Sequence, residues 1–194
     1  MAKRVYFCFH HQDLVDWRVQ VVRNLWLSNE GHEDAGLFDE PTWDESSMSG
    51  QAAVRRLIDG GLEHTGITCV LIGTHTWHRR WVRYEIIQSI QRGNRVVAVH
   101  VNGIPDRAHR TKPAGRNPLE HLALSIPRDG SSVEIMQYAN GAWTPSTTDT
   151  TSWPLSKPAA EGRRGKSFQL STLYPVHDWV RDNGPENLDR WLGA

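Results

Sequence analysis

Strand-like runs alternate with helically spaced stretches through the first hundred residues, and that alternation constrains the fold more than any other feature of the chain. Arg4–Phe9 (RVYFCF) is β-branched and aromatic and reads as a buried strand. Gln12–Ser28 follows with Leu14, Trp17, Val21 and Leu25 at helical spacing, widened by Val22 and Trp26, and Asp13 suits its first turn. A short second strand is expected around Gly36–Phe38, then a loop (DEPTWDESS), then a helix over Gly50–His64 with Val54, Leu57, Ile58 and Leu62 on one face. Ile67–Gly73 (ITCVLIG) is continuously apolar, as a central strand covered on both faces must be. A third helix spans Arg79–Gln91, stopped near Gly93, and Arg95–Val101 (RVVAVHV) is a further buried strand. Four strands interleaved with three helices predict an α/β fold with an open, mostly parallel, doubly wound sheet.

Beyond Asn102 the pattern changes. Residues 103–131 are rich in Pro, Gly and charge and read as an ordered surface loop. Asn140-Gly141, between Val133–Tyr138 and Ala142–Thr144, predicts a hairpin. Thr144–Lys157 reads as loop, and Tyr174–Arg181 and Pro185–Leu192 as short helices that turn Trp179 and Trp191 inward. The expectation is one domain over 1–194, with a core of about 1–102 and a second half that decorates it.

Composition removes several function classes. With 22 basic and 22 acidic residues the net charge is zero, which gives no footprint for nucleic acid. Both cysteines, Cys8 and Cys69, fall inside predicted strands and read as buried small hydrophobes of a reducing compartment. The apolar part of MAKRVYFCFH is too short for a signal peptide, and no run approaches membrane-spanning length, so a cytoplasmic protein is expected. His10-His11 and His75-x-x-His78 lack the cysteine or H-E-x-x-H pattern of a zinc site, and no metal or resident cofactor is expected. GRRGKS at Gly162–Ser167 has two residues between its glycines where a phosphate loop has four. No G-x-G-x-x-G follows the first strand, which argues against redox use of a dinucleotide. A two-component receiver wants an acidic pair in FHHQD and an Asp in LIGTH; a flavodoxin wants a hydroxyl-rich loop after its first strand. Neither is present.

In open α/β sheets, ligands bind beyond the carboxyl ends of the strands. That rim carries His10, His11, Asp39, Trp43, Asp44, Thr74, Trp77 and Trp81, and one carboxylate of special interest, Glu85. On the third helix Val82, Ile86 and Ile90 take the buried stripe, so Trp81 and Glu85, at i and i+4, share the neighbouring face. A solitary acid beside an indole suits cleavage of the N-glycosidic bond of NAD. Nicotinamide leaves a pyridinium cation as a neutral molecule and needs no general acid, so one carboxylate that holds ribose hydroxyls and favours developing positive charge suffices. Most other glycoside hydrolysis needs two carboxylates. Trp77, Trp81 and Phe9 are available to stack on flat rings. Packing alone would equally explain Trp81.

The strings RVYFCFHHQD and LIGTHTWHRRWVRYEI resemble the first strand and the third strand–helix unit of TIR domains. Taken in order, VVRN, RLIDGGLEHT, TCVLIG, RRWVRYEI, RGKSFQLS and YPVHDWV resemble the TIR-like proteins of the bacterial Thoeris anti-phage system along nearly the whole chain. The resemblance implies a flavodoxin-like TIR fold and NAD as substrate. It further implies release of nicotinamide and a cyclic or conjugated ADP-ribose signal read by a separate effector, with a phage-derived cue as trigger and low activity before it. It assigns Glu85 as the catalytic carboxylate and Phe9 and His10 as crevice-wall positions. FHHQD departs from many TIR domains in lacking small hydroxyl residues after the first strand. The alternative is a TIR-like scaffold that binds other TIR surfaces and does no chemistry.

Overall fold

A computed structural model describes residues 3–35, 48–146 and 151–193. The chain runs β1 (Lys3–Cys8), α1 (His11–Val15), α2 (Arg18–Leu27), β2 (His32–Ala35), α3 (Met48–Leu62), β3 (Ile67–Ile72), α4 (Arg80–Gln91) and β4 (Arg95–His100). There follow β5 (Leu122–Ile126), β6 (Ser132–Ala139), β7 (Ala142–Pro145), β8 (Ser152–Pro154), β9 (Lys166–Gln169), α5 (Leu170–Leu173), β10 (Val176–Asp178) and α6 (Gly184–Trp191).

The first sheet has the order β10-β4-β3-β1-β2, and every pairing in it is parallel. This is the flavodoxin-like order, in which the chain reverses its direction of winding between β1 and β3. Alternation along β1 sends Val5 and Phe7 to one face and Tyr6 and Cys8 to the other. On the first face Val5, Phe7, Cys69, Leu71, Val97 and Val99 pack against α1, α2 and α6. On the second, Tyr6, Cys8, Val70, Ile72, Val96 and Ala98 pack against α3 and α4. Covering on both faces is why these strands read as unbroken apolar runs.

The expected helix over Gln12–Ser28 is two helices. Trp17 sits in the left-handed region (φ 72°), breaking the chain between α1 and α2. The break rotates the apolar stripe, so Val19, Val22 and Trp26 are buried while Trp17, Val21 and Leu25 are only half-buried. It also buries Arg18 completely, where its guanidinium meets Asp16 at 3.0 Å. The second strand is His32–Ala35, earlier than expected; Gly36–Phe38 lie outside the described residues. HEDA has no apolar signal. Trp26 holds this edge strand by donating from Nε1 to the Glu33 carbonyl (2.9 Å), and Arg23 holds it by an ion pair to Asp34.

The second half departs further from expectation. β5 lies inside the expected loop of 103–131, and β8 inside that of Thr144–Lys157. With β6, β7 and β9 they form an antiparallel sheet of order β7-β6-β5-β9, to which β8 adds by pairing with β6. The hairpin at Asn140-Gly141 forms as expected, both residues having positive φ (51° and 83°). Tyr174–Arg181 is not a helix. Val176–Asp178 pairs with β4, and Asp178 then turns the chain by accepting from the Val180 and Arg181 amides. The expected helix near Pro185–Leu192 is α6, and Trp179 and Trp191 are buried as predicted. Leu119, Leu122, Ile135 and Leu170 of the second half join the core beneath α4.

Candidate functional site

The carboxyl ends of β1 and β3 face a rim built from two junctions. One is Phe9-His10, leading into α1. The other is a single 3₁₀ turn, Thr76–His78, leading into α4. A buried lock joins them. The Gly73 amide donates to Thr76 Oγ1 (2.9 Å), and that hydroxyl lies 3.4 Å from Asp13 Oδ2. Burial raises the Asp13 pKa, opposed by the charges of Arg18 and Lys112. The 102–117 loop packs over the α1 side of this rim. Thr74 donates its hydroxyl to the Pro113 carbonyl (2.7 Å), Arg18 donates to the Arg110 carbonyl (3.1 Å), and Lys112 ion-pairs with Asp16.

On the other side of the rim stands α4. Its buried stripe is Val82, Ile86, Ile87 and Ser89, with Ile90 half-buried, and a polar ladder keys it to the sheet. Thr68 donates to Ser89 Oγ (2.8 Å), and Ser89 donates to the Glu85 carbonyl (2.7 Å). Tyr84 reaches Asp59 on α3 (3.1 Å), and Arg92 meets the same carboxylate at 3.0 Å.

Held in this way, Glu85 turns its side chain toward the sheet. Oε1 accepts from the Tyr6 hydroxyl (2.9 Å) and Oε2 from the Cys8 thiol (2.7 Å). Both donors are nearly fully buried on β1, and Glu85 is half-buried above them. Burial, then the charge of Glu85, pushes the Tyr6 and Cys8 pKa values well up, so both groups keep their protons and face the carboxylate as donors. Tyr6 and Cys8 escaped the sequence reading. The available signal was the period of two along β1, which puts them on one face, but their pairing with Glu85 spans 79 and 77 residues.

The other predicted site residues are distributed unevenly. Trp81 packs half-buried against the core, edge-on to Tyr84 (ring centroids 5.8 Å apart), with the Arg80 guanidinium 5.0 Å from its ring. Trp77 lies against His121 (4.9 Å) and His78 (5.1 Å), with Arg116 5.2 Å above it. Phe9 packs partly buried against the core beneath α1 and α2, the face opposite Glu85. His10 is half-buried, and burial, then Arg79, His75, His78 and His11, lowers its pKa to about 4, so it stays neutral at physiological pH. The Thr74 hydroxyl proton is spent on Pro113. Asp39, Trp43 and Asp44 lie outside the described residues. Among the described residues no group of three or more His, Cys, Asp or Glu is arranged to hold a metal, and no helix is long and apolar enough to cross a membrane.

Residues 6–106 match the family described as Thoeris protein ThsB, TIR-like domain. A Bacillus cereus (strain MSX-D12) protein named "Putative cyclic ADP-D-ribose synthase ThsB1" is 41% identical over 192 residues, covering 99% of this chain and 100% of that protein. The chain belongs to the Thoeris ThsB family. The parallel sheet of this ThsB-family chain is the TIR-like fold that the sequence predicts, with an antiparallel sheet added. Among solved structures, the Clostridium botulinum CMP N-glycosidase BcmB is similar at a TM-score of 0.36 and 14% identity, over 50% of this chain and 69% of that one.

Proposed function

We propose that this ThsB-family chain cleaves NAD, releases nicotinamide and converts the ADP-ribose part into a cyclic signal nucleotide, with Glu85 as the catalytic residue. Support comes from a relative named as a cyclic ADP-D-ribose synthase that aligns along its whole length. The observation that carries the chemical reading is Glu85, turned from α4 onto two protonated donors of β1 at the rim where a parallel sheet binds its ligands.

The reaction breaks the bond between ribose C1 and the pyridinium nitrogen. The electron pair goes to nicotinamide, which leaves neutral, and positive charge develops on the ribose. An ionised carboxylate can accept several hydrogen bonds at once. The Glu85 carboxylate accepts from ribose hydroxyls and stabilises the oxocarbenium-like centre. Capture of C1 by a nucleophile of the same molecule, with loss of its proton, closes a cyclic product. Capture by water gives free ADP-ribose. Trp81 and Trp77 supply flat walls that keep water away and favour the internal capture. NAD is thus the substrate and no cofactor is required. The product acts on a separate effector in the cytoplasm, and a phage-derived cue raises the rate.

The test is nicotinamide release from NAD by purified wild type and Glu85→Gln, repeated in extracts of phage-challenged cells producing each, with products resolved by mass spectrometry. Removing the carboxylate should lower turnover by roughly 10²–10³-fold, the scale expected for an electrostatic group at the reacting centre. The wild-type rate should rise on challenge. Equal rates in wild type and variant under both conditions leave a non-catalytic scaffold as the reading.

A further inference from the structure

We infer that Tyr6 and Cys8 are positioning residues that clamp the Glu85 carboxylate in a single orientation, an inference that rests on the catalytic reading of Glu85. The geometry is bidentate. One donor meets each oxygen, at 2.9 and 2.7 Å, and the two come from alternate residues of one strand, so they share a face and cannot move independently. Tyr6 and Cys8 are 1% and 0% exposed within the close-packed core of the sheet. Cys8 pairs in register with Val70 on β3, and Tyr6 pairs on both sides, with Thr68 on β3 and Ala35 on β2. The Cys8 thiol also lies 3.8 Å from the Val82 carbonyl, which ties it to the first turn of α4.

A carboxylate on an α-helix otherwise rotates about three side-chain bonds, and each rotamer points its lone pairs elsewhere. One donor on each oxygen selects a single rotamer, so the carboxylate meets a ribose hydroxyl in one fixed orientation. Both donors keep their protons because burial and the adjacent charge oppose their ionisation, so the clamp persists across the physiological pH range. The same two bonds draw electron density from the carboxylate, which makes it a poorer nucleophile toward C1.

Two measurements on the full chain test this. The first needs no turnover. The S–H stretching band of Cys8, assigned by its loss in Cys8→Ala with Cys69 as internal reference, should move to higher frequency in Glu85→Ala, because the acceptor is gone. The second is steady-state nicotinamide release from NAD under the conditions in which wild type is most active. Tyr6→Phe and Cys8→Ala should each lower kcat roughly tenfold, the scale of one hydrogen bond to a charged group, with KM within about twofold. Cys8→Ser, which restores a donor, should recover most of the loss, and Tyr6→Phe combined with Cys8→Ala should approach Glu85→Gln. An unmoved band, unchanged kcat in the single variants, or Cys8→Ser as impaired as Cys8→Ala overturns the inference. Glu85→Gln separates the two levels. If it is inactive while the Tyr6 and Cys8 variants match wild type, the clamp alone fails; if it matches wild type, the NAD reading fails.

Discussion

At the scale of single residues, burial shifts the pKa values of groups at the rim. His10 titrates near 4, against an ordinary 6.5. Between those values the unfolded chain binds a proton that the folded chain refuses. Stability from this group is therefore complete above 6.5 and is lost as pH falls toward 4. Burial also lowers the pKa values of His78, His100, His121 and His177, which act in the same direction. The urea midpoint should consequently fall between pH 7 and pH 4, and His10→Gln should make that fall shallower without removing it. Glu85 itself was legible because the 3.6-residue period separates it from Val82 and Ile86 while keeping it beside Trp81. Its donors were not, because a bond from β1 to α4 leaves no trace in local spacing.

At the scale of elements, close approach between loops decides what the rim tolerates. A Cβ at Gly73 would lie 2.1 Å from the buried Asp13 carboxylate, and one at Gly115 would lie 2.0 Å from the Gly73 carbonyl. The first neighbour is a buried side chain tied to Thr76 and the second is backbone, so Gly73→Ala and Gly115→Ala should each cost about 1–3 kcal/mol in urea denaturation. Gly60, exposed in α3 with nothing within 4 Å of its missing Cβ, is the counter-example. Gly60→Ala should stabilise by about 0.5–1 kcal/mol through helix propensity. Element types followed the same division. β1, β3 and β4 announced themselves as apolar runs, whereas β2 (HEDA) and β10 (VHD) are strands only because a neighbour offers an unpaired edge. The break at Trp17 was equally hidden, since a left-handed tryptophan has no sequence signature.

At the scale of the whole molecule, the second half is structural to the first. β10 completes the parallel sheet, and Leu119, Leu122, Ile135 and Leu170 fill the core under the helix that carries Glu85. A fragment ending at residue 106, where the family match stops, would expose that core and leave β4 as an open edge. It should fail to give a cooperative thermal transition by circular dichroism. In the full chain, Trp191 is 4% exposed and stacked on His177 with centroids 4.3 Å apart, so Trp191→Ala should lower stability by about 3–5 kcal/mol.

The amino-acid sequence by itself determined the alternation of β1, β3 and β4 with α3 and α4, the hairpin at Asn140-Gly141, and the face of α4 on which Glu85 stands. Those properties depend on neighbours within a turn or two, through periodicity, burial and backbone sterics. Only the tertiary structure decided that Tyr6 and Cys8 meet Glu85, that the 102–117 loop occupies the α1 side of the rim, and that a three-residue segment near the C-terminus becomes the fifth strand. Each of these is a pairing between groups far apart in the chain. Its free energy exists only once the sheet has brought both partners together.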